Sequence, residues 1–355
     1  MNNSEENRFE ELFNSFDNML RHEQLHLGDV EPAEQTINQD LSEDEYIYVI
    51  NRYLEKENIS FALCAAEQSY KKYPFSRDIT TQLCDVYILD NQIEKAEELL
   101  NRYLNSFEIN SGIAIQMSRI NVHKGKLDEA KELYRKAFEM EPYGETLCDS
   151  IFALAKDCSS RLYYKEAISL LDKSFSLAKI WHERLGEGMA DEELLGYYGE
   201  YAYCYEGLKD YDKCIEYLNK MLDVNSFDDT TWYLLAQAYL AKGTSDENLQ
   251  KAKEALEYSY SLDKQNYGVL TQLGLLNLYL NNFDEALENF KSLNNSQPND
   301  PHTMCALATA YMAKGERKEA EFLYHKALAL HPTDENVLAN LEELRKALEE
   351  SEKED

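Results

Sequence analysis

Through most of the chain the apolar residues recur at i, i+3, i+4 and i+7, the spacing of one face of an α-helix. Polar breaks divide these stretches into units of two helices, and a longer rhythm runs through the units. The alanine that opens the second half of each unit recurs as Ala62, Ala96, Ala130, Ala167, Cys214, Ala252, Ala286 and Ala320, at intervals of 34, 34, 37, 47, 38, 34 and 34 residues. A mostly small residue marks the first half, as Ile50, Cys84, Ser118, Ala155, Ala202, Ala236, Gly274 and Ala308. Two helices cross closely only where both contribute little side chain, so these columns predict antiparallel helix pairs. A large apolar column precedes the small one (Val49, Leu83, Met117, Leu154, Tyr201, Leu235, Leu273, Leu307), and a frequent tyrosine follows it (Tyr53, Tyr87, Tyr205, Tyr239, Tyr311). Asn91, Gly125, Gly243, Asn281 and Gly315 fall between the halves, where a residue tolerant of left-handed φ ends the first helix. Pro74, Pro142, Pro298 and Pro332 close second helices.

These columns resemble the tetratricopeptide repeat family. Trp232-x2-Leu235-Ala236-x2-Tyr239 carries the first half of that pattern; Ala320-x3-Tyr324-x2-Ala327-x4-Pro332 and Ala130-x3-Tyr134-x2-Ala137-x4-Pro142 carry the second. The weakest unit begins near Cys148, where Cys158 stands in the tyrosine column and Lys179 in the proline column. The resemblance implies an all-α fold, an alpha-alpha superhelix: a right-handed solenoid of about eight helix-turn-helix repeats with a C-terminal capping helix. The expected organisation is an acidic segment over 1–42 with one amphipathic helix and a linker, then an array over 43–333. Its repeats lie near 43–76, 77–110, 111–147, 148–194, 195–228, 229–266, 267–300 and 301–333, and a capping helix with an acidic tail covers 334–355. Phe9, Leu12, Phe13, Phe16 and Leu20 form the apolar stripe of the first segment, and Val337, Leu338, Leu341, Leu344 and Leu348 that of the last. The first stripe reads either as a cap docked on the first repeat or as a mobile segment that binds the protein's own groove or a partner.

Composition narrows the function. The net charge of -31 repels nucleic-acid backbones and anionic lipid, so neither partner is expected, and basic partners are favoured. No run of 18 apolar residues exists, so no membrane insertion is expected. The segment MNNSEENRFEE lacks the basic and apolar regions of a secretory signal. Seven scattered cysteines without a C-x-x-C pair suit a reducing compartment, which gives an expected cytoplasmic location.

Chemistry finds little footing. His22-Glu23-Gln24-Leu25-His26 spells H-E-x-x-H, in which two histidines one turn apart hold zinc and the glutamate acts as base. That chemistry also needs a third ligand and a walled cleft, for which the residues ahead of the array leave no room. Gly186-Glu187-Gly188 lacks the third glycine of a phosphate loop. No enzyme activity, cofactor or metal is expected.

In the resembling family the first helix of each pair lines a concave groove that holds peptides. Transferred by register, the groove residues are Asn51, Gln82, Asp85, Gln116, Arg119, Lys156, Tyr203, Tyr233, Gln237 and Thr271. Arg119 and Lys156 could pair a partner carboxylate. The position that holds lysine in the carboxylate-clamp subtype reads Ile47, Thr81, Ile115, Phe152, Gly199, Tyr233, Thr271 and Cys305, so a groove with apolar pockets from Ile47, Ile115, Phe152 and Tyr233 is expected instead. An insertion after the fourth repeat, with Leu170, Leu171, Leu177, Ile180, Trp181 and Leu185, predicts an over-long helix ending at Gly186 and Gly188, and Trp181 is a second candidate contact. The expected function is a scaffold, monomeric by preference, that binds a protein or peptide in the groove. The alternative is a cytosolic peptide-responsive sensor whose output is the N-terminal helix.

Overall fold

The structure, a computed structural model, describes residues 13–14, 41–140, 147–333, 335, 337–342, 344 and 346. The H-E-x-x-H motif, Phe9, Leu12, Phe16, Leu20, Pro142 and Leu348 lie outside them. The chain forms two compact units, residues 1–188 and 189–355. In the first, α1 (Glu43–Glu55) pairs with α2 (Ile59–Lys72), α3 (Arg77–Leu89) with α4 (Ile93–Leu104), α5 (Ser111–His123) with α6 (Leu127–Met140), and α7 (Leu147–Ser160) with α8 (Tyr164–Leu185). In the second, α9 (Asp191–Gly207) pairs with α10 (Tyr211–Val224), α11 (Asp229–Lys242) with α12 (Asp246–Leu262), α13 (Tyr267–Tyr279) with α14 (Phe283–Ser296), and α15 (Pro301–Lys314) with α16 (Arg317–Leu330). No strand occurs among the described residues. Each unit is thus an all-α stack of antiparallel hairpins, the building element of an alpha-alpha superhelix.

The two small-residue columns are buried within the hairpins. All eight residues of the alanine column are buried. Ser118 Oγ donates to the Ala130 carbonyl at 2.7 Å, a bond between α5 and α6 that needs both helices close. At Gly274 the approach is tighter: a Cβ there would lie 2.7 Å from Cζ of Phe290, so only glycine fits beneath that ring.

Seven hairpins turn in one way. In the second, Gln92 N–H bonds to the Tyr87 carbonyl at 2.8 Å and Asn91 N–H to that of Ile88 at 3.0 Å, with Asn91 at φ 57°. This pair of bonds ends a helix at a left-handed residue and satisfies two of its last carbonyls. Gly125, Asn281 and Gly315 take the left-handed place in their hairpins as expected, but Glu57, Leu162 and Lys209 take it in the first, fourth and fifth. The sixth hairpin departs: Gly243 at φ 147° opens a longer turn, and Ser245 caps α12 instead. Five first helices after α1 begin on side-chain caps at Ser76, Asn110, Asp228, Asn266 and Asp300, while α9 begins after Ala190 without one. Ser42 and Glu45 form a reciprocal capping box on α1.

Both ends carry apolar cover. Phe13 is fully buried, its ring 5.0 Å from that of Tyr53 and under Lys56 Nζ at 4.3 Å. Val337, Leu341 and Leu344 are buried in one cluster with Leu323 and Tyr324 of the last hairpin. The over-long helix is α8, 22 residues ending at left-handed Gly186.

Candidate functional site

The register places the candidate groove residues on the first helices of both units, and the units treat them differently. In the first they join one another. Gln82 Nε2 donates to Asn51 Oδ1 at 3.0 Å, and Gln116 Nε2 to Asp85 Oδ1 at 2.8 Å. Arg119 is buried (4% exposed) and ion-paired to Asp85 of α3 through Nη1 and to Asp157 of α7 through Nε at 2.5 Å. His123 Nε2 lies 3.1 Å from the other oxygen of Asp157, and Arg161 Nη2 lies 3.1 Å from His123 Nδ1.

A guanidinium between two carboxylates in low dielectric is held charged, and the two acids titrate apart. Burial pushes the Asp157 carboxyl up, but Arg119 and His123 beside it outweigh burial and hold it below the usual range. At Asp85 burial wins over Arg119 and Gln116, and its carboxyl is raised. Arg119 therefore has its carboxylates within the chain, and a partner's carboxylate would have to displace one. Lys156, on the next first helix, is exposed, its Nζ 6.0 Å from the Phe152 ring centre. Ile115 is fully buried and Ile47 packs against the core, so neither forms a groove pocket as expected from the sequence.

In the second unit Tyr203 on α9 is 46% exposed and borders a recess of about 140 Å³ with Gly199, Met221 and Leu234. Tyr233 and Gln237 stand one turn apart on α11, both half-buried. Gln237 occupies the column that Arg119 holds in the first unit, yet its Nε2 is buried with no hydrogen-bond partner among the described residues. Thr271 on α13 donates to its own helix, at the Tyr267 carbonyl. Trp181, in the extension of α8, is half-buried.

Asp157 is the residue that the sequence reading missed. Its signal was faint: it lies one place beyond the transferred column, 38 residues from Arg119 across a stretched interval. Burial pushes the thiols of Cys204 and Cys214 up to about 12 and about 11, so both stay protonated and inert at neutral pH. Among the described residues no three His, Cys, Asp or Glu side chains are grouped to hold a metal ion. No helix among them is long and apolar enough to cross a membrane.

Hairpins closed at a left-handed residue, joined through small-residue columns and capped at their first helices, define an α-hairpin repeat protein. Tetratricopeptide repeat family models match residues 113–143, 195–228 and 277–344. The chain thus carries tetratricopeptide repeats. It is 30% identical over 158 residues to the BBSome complex member BBS4 of Bos taurus, covering 44% of this chain and 28% of that one. For the Mus musculus protein of the same description the identity is 27%, over 44% of this chain and 26% of that one. The chain thus spans about a quarter of the length of these curated relatives. Among solved structures, a chain of the APC/C hetero-tetramer Cut9-Hcn1 is similar with TM-score 0.45 and 15% identity, covering 90% of this chain and 57% of that one. YrrB, described as a TPR protein with an unusual peptide-binding site, gives TM-score 0.44 and 18% identity over 58% and 96%.

Proposed function

We propose that this chain is a protein-interaction scaffold that holds an extended segment of a partner against the first helices of its second unit. The observation that carries the reading is the Gln237 amide. A buried donor without an acceptor costs about 1–3 kcal/mol, and a partner's backbone carbonyl would satisfy it. In the same column of the first unit Asp85 and Arg119 satisfy each other, with Asp157 beside them, whereas the Gln237 amide is buried without an acceptor. Tyr203 and Tyr233 beside it supply aromatic surface at low entropic cost. The curated relatives are named as members of a complex, which supports a place in a multi-protein assembly. Seven cysteines of which none forms a disulfide support a reducing location such as the cytoplasm.

The test is affinity capture from cells of the source organism, followed by mass spectrometry, with wild type beside a Tyr203→Ala, Gln237→Ala variant of unchanged circular dichroism. A partner held by wild type and lost by the variant supports the reading; equal recovery of every partner overturns it. A second reading, a peptide-responsive sensor, draws on the seat of Phe13 against Tyr53. That tyrosine lies on α1, the helix that also presents Asn51. A ligand on α1 would then change protease cleavage within residues 1–42, and unchanged cleavage with every captured partner removes the reading.

A further inference from the structure

In the first unit one junction fails to close. α2 packs on α3 and α4 on α5, but among the described residues α6 barely meets α7, and α5 touches α7 directly. Only Ala130 and Ala137 of α6 are buried. A pocket of about 520 Å³ opens there between α6 and α8, and none of the candidate groove residues lines it. Its apolar lining is Val122, Leu127, Leu154 and Leu170 with the rings of Tyr134 and Phe138. The volume is that of a ligand site rather than a packing defect.

Two features of the lining point to an occupant. Tyr134 Oη is buried with no hydrogen-bond partner among the described residues, so a donor waits at the wall. The lining carries Lys131, Arg135, Lys165 and Lys173 against Glu139 and Glu166, a basic balance in a chain whose net charge is -31. Lys131 of α6 reaches Glu166 of α8 at 3.1 Å, and Arg135 pairs with Glu132 at 2.9 Å. Lys165 and Lys173 have no carboxylate within ion-pair distance among the described residues; Lys173 lies instead 5.2 and 5.3 Å from the ring centres of Tyr134 and Phe138.

We propose that this pocket is a second docking site, for a partner segment that inserts a large apolar side chain and places acidic residues on either side of it. Lys165 and Lys173 are eight residues apart on one helix, about 12 Å along its axis. One carboxylate cannot answer both, whereas an extended peptide spans that distance in about four residues. The anchor fills the apolar floor and a backbone carbonyl or carboxylate accepts from Tyr134. Glu139 and Glu166 also line the pocket, but Glu166 is already paired with Lys131, so Lys165 and Lys173 remain for an acidic segment to meet.

The experiment pans a displayed library of random twelve-residue peptides on the full chain at 150 mM salt, with counter-selection on Ser169→Trp. Ser169 is an exposed residue at the pocket wall, so the indole blocks the mouth without entering the core. The expected winners carry Phe, Leu or Trp with Asp or Glu within four positions on both sides. Their binding, read by fluorescence polarisation, falls at least tenfold in Lys165→Glu, Lys173→Glu and is unchanged in Tyr203→Ala, Gln237→Ala. No enrichment over Ser169→Trp, basic or uncharged winners, or loss in the Tyr203 variant instead would overturn the proposal. So would native mass spectrometry finding a small amphiphile, or sedimentation finding a dimer, lost with Ser169→Trp. The proposed contact with the second unit's first helices stands or falls on the Tyr203 and Gln237 variant, so the two failures are distinguishable.

Discussion

At Leu162 the backbone turns through φ 65° with a branched, 66% exposed side chain attached. A left-handed conformation costs an L-residue roughly 1–2 kcal/mol, and glycine avoids most of that while losing some unfolded-state entropy. Leu162→Gly should therefore raise stability by about 0.5–1 kcal/mol, seen as a higher urea midpoint with unchanged slope. A lower midpoint would show that the leucine does something its exposure does not reveal. The same turn position was legible in sequence wherever it holds Gly or Asn. It was illegible at Glu57, Leu162 and Lys209, because stacking of the neighbouring hairpins forces the turn whatever residue stands there.

Among elements, the Arg119 network ties α3, α5 and α7 together across three hairpins. Removing one member leaves charge buried without its counter-charge, which costs about 3–5 kcal/mol. Arg119→Leu should lose about that much in denaturant unfolding; a loss under 1 kcal/mol would mean that Asp85 and Asp157 reach water without it. The two acids carry opposite pH signatures. Asp157, lowered in the folded chain, contributes stability that is full above its unfolded pKa of about 3.9 and fades as pH falls through its lower folded value. Asp85, raised, disfavours the fold slightly as pH climbs from about 3.9 through its higher folded value. Carbon NMR titration of labelled aspartates should place the Asp157 midpoint below 3.9 and that of Asp85 above it; the reverse order would refute the assignment. Hairpin boundaries were readable because small residues, turn residues and prolines all mark local geometry. The network was only half readable: Asp85, Gln116 and Arg119 stand at repeat spacing, but Asp157 follows a stretched interval where the register slips. The failed junction beside α6 was not readable at all, since Ala130 and Ala137 look like any well-packed helix until the neighbours are seen.

For the molecule as a whole, repetition has a hazard that Phe13 answers. A stack of similar hairpins has no built-in last member, because the side that one hairpin offers to the next can equally receive a hairpin from another copy. The ring lodged against Tyr53 takes up that side from within the same chain. Phe13→Asp should reopen it while the other end stays covered by Val337, Leu341 and Leu344, and sedimentation velocity would then show a dimer that wild type lacks. Identical boundaries for the two proteins would place the stopper elsewhere. On this view a single aromatic ring sets the difference between a solitary particle and an end-to-end pair.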